Sequence, residues 1–165
     1  MHLAFAIISF MMVFASSTLS SQNFQWVNWS PRPGVSSDFE NFNKVAVDPD
    51  GNSFMAVQFT GNLTIGNYSF ESNFVEDICI LKYAPNGDFI WAKAIGSQYW
   101  DQVNGMDCDE QGNLYITGHY FGVLWYENDS LVGNAGGREM FLMKILADGQ
   151  VAWAVNGANV WDDDG

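Results

Sequence analysis

Four aromatic residues, Tyr120, Phe121, Trp125 and Tyr126, fall within seven positions. An aromatic face bordered by polar groups can stack on a sugar ring or seat a partner protein. These four are the ligand-binding candidates of the chain; the competing reading is a minor hairpin packed on the edge of a sheet. Acid–base and nucleophilic chemistry find little support. Beyond residue 21 there is one histidine, His119, and there is no Gly-x-Ser-x-Gly and no phosphate-binding loop. A glycosidase needs two carboxylates at a set separation, and 19 acidic residues neither exclude nor assign such a pair. No catalytic residue is therefore named.

Metal chemistry is equally thin. Cys79, Cys108 and His119 lack a Cys-x-x-Cys pair, so zinc is not expected. Asp162, Asp163, Asp164 and Gly165 resemble the start of a calcium loop, where spaced carboxylates supply oxygens. Asp162 recurs, however, as Asp101 and Glu40, which makes it scaffold first. No cofactor is expected, and calcium is the one weak alternative. The two cysteines read as small core residues, with a disulfide between them as the alternative that an exported chain would permit.

The elements that must position these residues are written twice. Asp109, Gly112, Asn113, Gly122 and Leu124 repeat Asp48, Gly51, Asn52, Gly61 and Leu63 at an offset of 61. Lys144, Gly149 and Trp153 repeat Lys82, Gly87 and Trp91 at an offset of 62. A fixed period of this length, filled with short strand-like runs, predicts a propeller-type array. In the first copy strands are expected over 44–48, 53–59, 77–84 and 89–94, with a minor hairpin around Gly66 and Asn67. In the second they are expected over 104–109, 114–120, 140–146 and 151–155. Turns such as Pro85-Asn86-Gly87-Asp88 separate them. No window past the leader carries a helical period.

The repeat permits a subtraction. Residues present in both copies serve folding; a site used once sits among the differences. By this rule Asp48, Asp109, Lys82, Lys144, Trp91 and Trp153 are structural. Each lysine falls in an apolar strand, where a lone charge is costly. A partner is expected from Asp77 or Glu139, or from a neighbouring carbonyl. His119 matches Gln58 and reads as a hydrogen-bonded strand residue.

Composition sets the outer bounds. The chain is 48% hydrophobic, 16% aromatic and only 15% charged, which suits a packed core. Its net charge of −13 repels phosphate backbones and anionic lipid, so nucleic acid and membrane surfaces are not expected partners. Residues 3–15 form an apolar run too short to span a bilayer, followed by small residues. Residues 1–21 are expected to be a cleaved secretory signal, with no membrane span once it is removed. Residues 23–29 read as a strand resembling the last strand of each copy, as in a ring closed by a borrowed strand.

The units resemble the Bacteroidetes-type SBBP β-propeller repeat. The resemblance rests on Asp48, Gly51-Asn52, Phe54, Asp77, Lys82-Tyr83, Gly87 and Trp91. Unit two carries Asp109, Gly112-Asn113, Tyr115, Glu139, Lys144-Ile145, Gly149 and Trp153. It covers about residues 39–165. It implies a secreted or cell-surface propeller with no settled activity, so it transfers no catalytic residue.

The sequence thus predicts an all-β chain: two four-stranded antiparallel propeller blades after an N-terminal signal peptide. The expected divisions are a signal (1–21), a strand and linker (22–38), blade 1 (39–98), blade 2 (99–158) and the start of a truncated third blade (159–165). Two blades do not close a ring, since propellers use about four to eight. The expected role is non-catalytic binding, adhesion or structural interaction with protein or glycan at the cell surface. The alternative is the propeller domain of an extracellular carbohydrate-active enzyme, a glycosidase or lyase.

Overall fold

The computed structural model of the chain describes residues 41–157, apart from 74 and 134–136. The expected signal, the strand near Trp26 and the third unit at Trp161 lie outside the described residues. What is described is all β and antiparallel. Unit 1 runs β1 (Asn41–Val47), β2 (Ser53–Phe59), β3 (Asn62–Ile65), β4 (Tyr68–Glu71), β5 (Asp77–Tyr83) and β6 (Phe89–Gly96). Unit 2 runs β7 (Gln102–Cys108), β8 (Leu114–Phe121), β9 (Val123–Tyr126), β10 (Asp129–Val132), β11 (Arg138–Ile145) and β12 (Val151–Asn156). Among the described residues no helix is long and apolar enough to cross a membrane.

The two units share one topology. Strands β1-β2-β5-β6 lie side by side in sheet 1, and β7-β8-β11-β12 in sheet 2, with a hairpin inserted after the second strand of each. The hairpins differ in placement. β3–β4 stands as its own two-stranded sheet, whereas β9 pairs with β6 and extends sheet 1 to six strands. The seam is short, with Ile95 opposite Tyr126 and Gly96 opposite Trp125. A hairpin of one unit completing the sheet of the other was not foreseen from the repeat.

Period-two alternation gives each sheet two faces. The front of unit 1 carries Phe54, Ile80, Lys82 and Trp91; its back carries Met55, Cys79 and Leu81. The corresponding front of unit 2 carries Tyr115, Leu142, Lys144 and Trp153, and its back Ile116, Phe141 and Met143. The main core forms where the front of sheet 1 meets the back of sheet 2. Phe54, Ile78, Ile80, Trp91 and Ile95 there interlock with Leu114, Ile116, Phe141, Met143 and Ile145. A second core forms behind sheet 1, from Val57, Phe59, Cys79 and Leu81 with Leu63 of β3.

The repeated Asp, Gly-Asn and Lys make one device. Asp48 Oδ1 accepts from the Asn52 backbone and Oδ2 from the Asn52 side chain, both at 2.8 Å. These bonds close the turn between β1 and β2, and Gly51, at φ +83°, supplies the left-handed residue that turn needs. Lys82 Nζ then lies 3.5 Å from Asp48 Oδ2 and donates to the Ala147 carbonyl at 3.0 Å. Trp91 Nε1 donates to the same carbonyl at 3.3 Å. Gly149, at φ +94°, brings the turn carrying that carbonyl against Trp91; a Cβ there would meet the indole at 3.2 Å. The partner of Lys82 is thus Asp48 with a carbonyl of the other unit, not Asp77.

In unit 2 the device repeats, with no partner from the other unit among the described residues. Asp109 accepts from Asn113 N and Nδ2 at 2.9 Å each, and Lys144 Nζ lies 3.2 Å from Asp109 Oδ2. Side-chain exposure is 6% and 1% for Lys82 and Asp48, against 20% and 21% for Lys144 and Asp109. The Asn113 amides, with Gln111 and Lys144, hold the Asp109 carboxyl well below the usual carboxylate range. Cys79 and Cys108 are both free. They lie in different layers, one behind sheet 1 and the other between the sheets, so a sheet separates them.

The paired geometry sets up a comparison. Asp48→Ala strands a buried ammonium and is expected to destabilise the chain by about 3–5 kcal/mol. Asp109→Ala loses the same turn bonds around a partly solvated lysine and is expected to lose about 1–2 kcal/mol. Urea midpoints of the two variants check this; equal losses contradict it.

Candidate functional site

A cleft of about 520 Å³ opens at the end of the stack where β2, the start of β5 and the end of β8 meet the turn before β7. That turn is built by Asp101, which is fully buried. Both of its carboxylate oxygens accept from Ser97: Oδ2 from the backbone N–H and Oδ1 from the hydroxyl at 2.7 Å. Its carbonyl accepts from Gln58 Nε2 at 2.7 Å, and its N–H donates to the Glu76 carbonyl at 3.3 Å. Gln58 Nε2 also lies 3.2 Å from Glu76 Oε2. Burial pushes the Asp101 carboxyl up to about 7; the Ser97 bonds oppose this and the Asp77 charge adds to it.

The far wall is cationic and aromatic. Arg138 Nη2 donates to His119 Nδ1 at 2.8 Å, and Asn104 Nδ2 lies 3.3 Å from the same nitrogen. A guanidinium only donates, so Nδ1 is the acceptor and the imidazole is neutral with its proton on Nε2. Burial, then the Arg138 charge, moves this histidine below its ordinary 6.5. Trp100 and Tyr99 stand out of the turn at 65% and 58% exposure. Tyr99 meets Phe121 edge to face at 6.1 Å, so an aromatic ledge borders a polar cleft.

The four aromatics singled out by sequence do not share one surface. Tyr120 is buried between the sheets, its hydroxyl donating to Asn156 Oδ1 at 2.6 Å and its ring against Phe141. Tyr126 belongs to the same core. Phe121 borders the cleft, and Trp125 stands at the β6–β9 seam beside a smaller hollow of about 300 Å³. Asp77 lines that hollow. Its Oδ2 accepts from Asn73 N and Nδ2 at 3.1 and 3.2 Å, and its Oδ1 is buried with no hydrogen-bond partner. Burial pushes it up to about 6.

Sequence reasoning missed Tyr99 and Trp100. The repeat itself hid Trp100, because Trp161 repeats it and the subtraction assigns such residues to scaffold. No cluster of three His, Cys, Asp or Glu side chains suited to a metal occurs among the described residues. The calcium-like Asp162-Asp163-Asp164 lies outside them. Comparison with protein-family models gave no match, and no curated protein matched the chain.

Two titrations follow from this geometry. Asp101 has a folded value near 7 against an ordinary 3.8, so the folded chain binds its proton more tightly than the unfolded chain does. Its contribution to stability is therefore greatest at acid pH and falls as pH rises through this window. Asp101→Asn, which can keep both Ser97 contacts, is expected to show a shallower fall in urea midpoint over that range; an unchanged slope contradicts the assignment. His119 is expected to titrate below 6.5 as the Nε2–H tautomer in nitrogen-15 imidazole spectra. A value above 6.5 contradicts the burial and Arg138 argument.

Proposed function

We propose that this chain is a non-catalytic β-propeller module, exported from the cell, that binds glycan or protein at the cell surface. Its units are read as blades of the Bacteroidetes-type repeat that their Asp, Gly-Asn, Lys and Trp pattern resembles. Two four-stranded sheets of one topology, stacked face to face, support that reading. Its ligand is held at the cleft beside Tyr99, Trp100 and Phe121. Aromatic faces cover the apolar face of a sugar, while Arg138 and the Gln102 amide meet hydroxyl or acidic groups.

The observation that carries binding over hydrolysis is the commitment of the two acids that line the cleft, Asp101 and Glu76. Asp101 spends both oxygens on Ser97, and Glu76 faces the Gln58 amide. Neither stands free as the acid and base that a glycosidase needs. Affinity electrophoresis through a panel of polysaccharides tests this. Retardation without release of reducing sugar is the expected result, weakened about threefold to tenfold by Trp100→Ala. Loss on Trp125→Ala instead moves the ligand to the seam. Sugar release assigns the carbohydrate-active alternative, and no retention by any polymer removes the glycan reading.

A further inference from the structure

The hollow at the β6–β9 seam is built on one row across the back of sheet 1. The β5–β6 register, with Ile78 opposite Ile95, brings Asp77 beside Gly96. Gly96 lies in turn opposite Trp125 across the seam. Cross-strand partners stand on one face of a sheet, so a side chain at 96 would rise between Asp77 and Trp125. Glycine leaves that space to the acid: a Cβ at Gly96 would collide with the Asp77 carboxyl. Hairpin β3–β4 supplies another wall through Phe70 and Glu71. Glu127, also at the hollow, is paired with Lys93.

Asp77 is the residue this packing leaves in need. It is 2% exposed, Asn73 holds its Oδ2, and its Oδ1 has no hydrogen-bond partner. A buried acceptor left unmet is costly, the more so when it carries charge. The arrangement is also made once. Thr64 stands in unit 1 where Trp125 stands in unit 2, and β3–β4 is a separate sheet that forms no such seam. A feature made once is where the comparison of the two copies places a site.

We infer that this hollow binds a small organic ammonium ion, whose N–H groups donate to Asp77 Oδ1 while its cationic head lies against the Trp125 indole. An indole face attracts a cation through its quadrupole, and Glu71 adds negative charge to the wall. A metal is the poorer fit, because no three His, Cys, Asp or Glu side chains converge suitably among the described residues. An ammonium asks for less: an acceptor, an aromatic face and an apolar wall for its stem, which Phe70 and Ala94 provide. About 300 Å³ lies at the small end of ligand pockets, which suits an alkylamine head. Trp125, 39% exposed, is the wall that turns aside to admit it. The site is separate from the cleft beside Trp100 and holds whatever that cleft takes.

The experiment is a titration of the full chain with n-butylammonium at neutral pH and constant ionic strength, followed in nitrogen-15 correlation spectra. The Gly96 amide and the Trp125 indole N–H are expected to shift together and to saturate, with a Kd of about 1 mM. Trp125→Ala is expected to weaken binding about threefold to tenfold, read from the Gly96 amide. Asp77→Asn keeps an acceptor for Asn73 but places an amide N–H where Oδ1 stood, and is expected to weaken binding at least about tenfold. Circular dichroism checks that both variants fold, and the exposed Trp125 carries the test if the buried substitution does not. Tetramethylammonium has no N–H to give and is expected to bind at least about threefold more weakly. No saturable shift with butylammonium overturns the inference. So does binding unchanged in Trp125→Ala, and so does equal or tighter binding of tetramethylammonium. The same shifts from calcium chloride at lower concentration also overturn it and assign the hollow to a metal.

Discussion

An ammonium group inside an apolar sheet is tolerable only when every proton has somewhere to go. Lys82 meets that condition by drawing on two units at once, with Asp48 from its own sheet and the Ala147 carbonyl from the sheet stacked on it. Taking two charges out of water carries a desolvation penalty of several kcal/mol per ion, which is recovered only with near-complete hydrogen bonding. The pair therefore acts less as a source of stability than as a requirement for register. Sheet 2 must sit so that one particular turn faces one particular lysine, and the Phe54 ring, 4.8 Å from the ammonium, fixes the remaining side. Trp91 shares the acceptor, so the same placement satisfies an indole N–H that would otherwise be buried unmet.

That requirement explains why the repeat has the signature it has. Asp, Gly-Asn and Lys are spread from position 48 to position 82 in the first copy, yet they converge on one turn and one ion pair. Asp109 and Lys144 show the same device with water on one side, at several times the exposure. The comparison separates what the motif does within a unit, which is to close a turn, from what it does between units, which is to dictate who may lie against it.

Much of this was legible in the chain. The strand at 53–59, and the one expected at 77–84 and found at 77–83, were readable from apolar runs bounded by Gly and Pro turns, because periodicity and turn chemistry are local. The need of Lys82 for a partner was also legible, since burial of a charge follows from its strand. The identity of that partner was not: Ala147 lies 65 positions away and offers only a carbonyl, which no side-chain pattern advertises. The aromatic run at 120–126 is divided between surfaces for a related reason. Alternation along β8 sends Tyr120 inward and Phe121 outward, and the short seam to β6 turns Tyr126 into the core while leaving Trp125 at the surface. Tyr99 and Trp100 gather at the cleft through a turn held by Ser97 and Asp101, a tertiary arrangement that composition does not encode.

The hairpin that crosses from unit 2 to sheet 1 has a temporal consequence. A chain emerging from a ribosome presents β6 well before β9 exists. For that interval the last strand of sheet 1 is an unsatisfied edge, open to any strand that reaches it. When β9 and β10 arrive they clasp that edge and, by the same act, deliver unit 2 to its seat. Assembly is therefore vectorial, unit 1 being finished by the unit made after it.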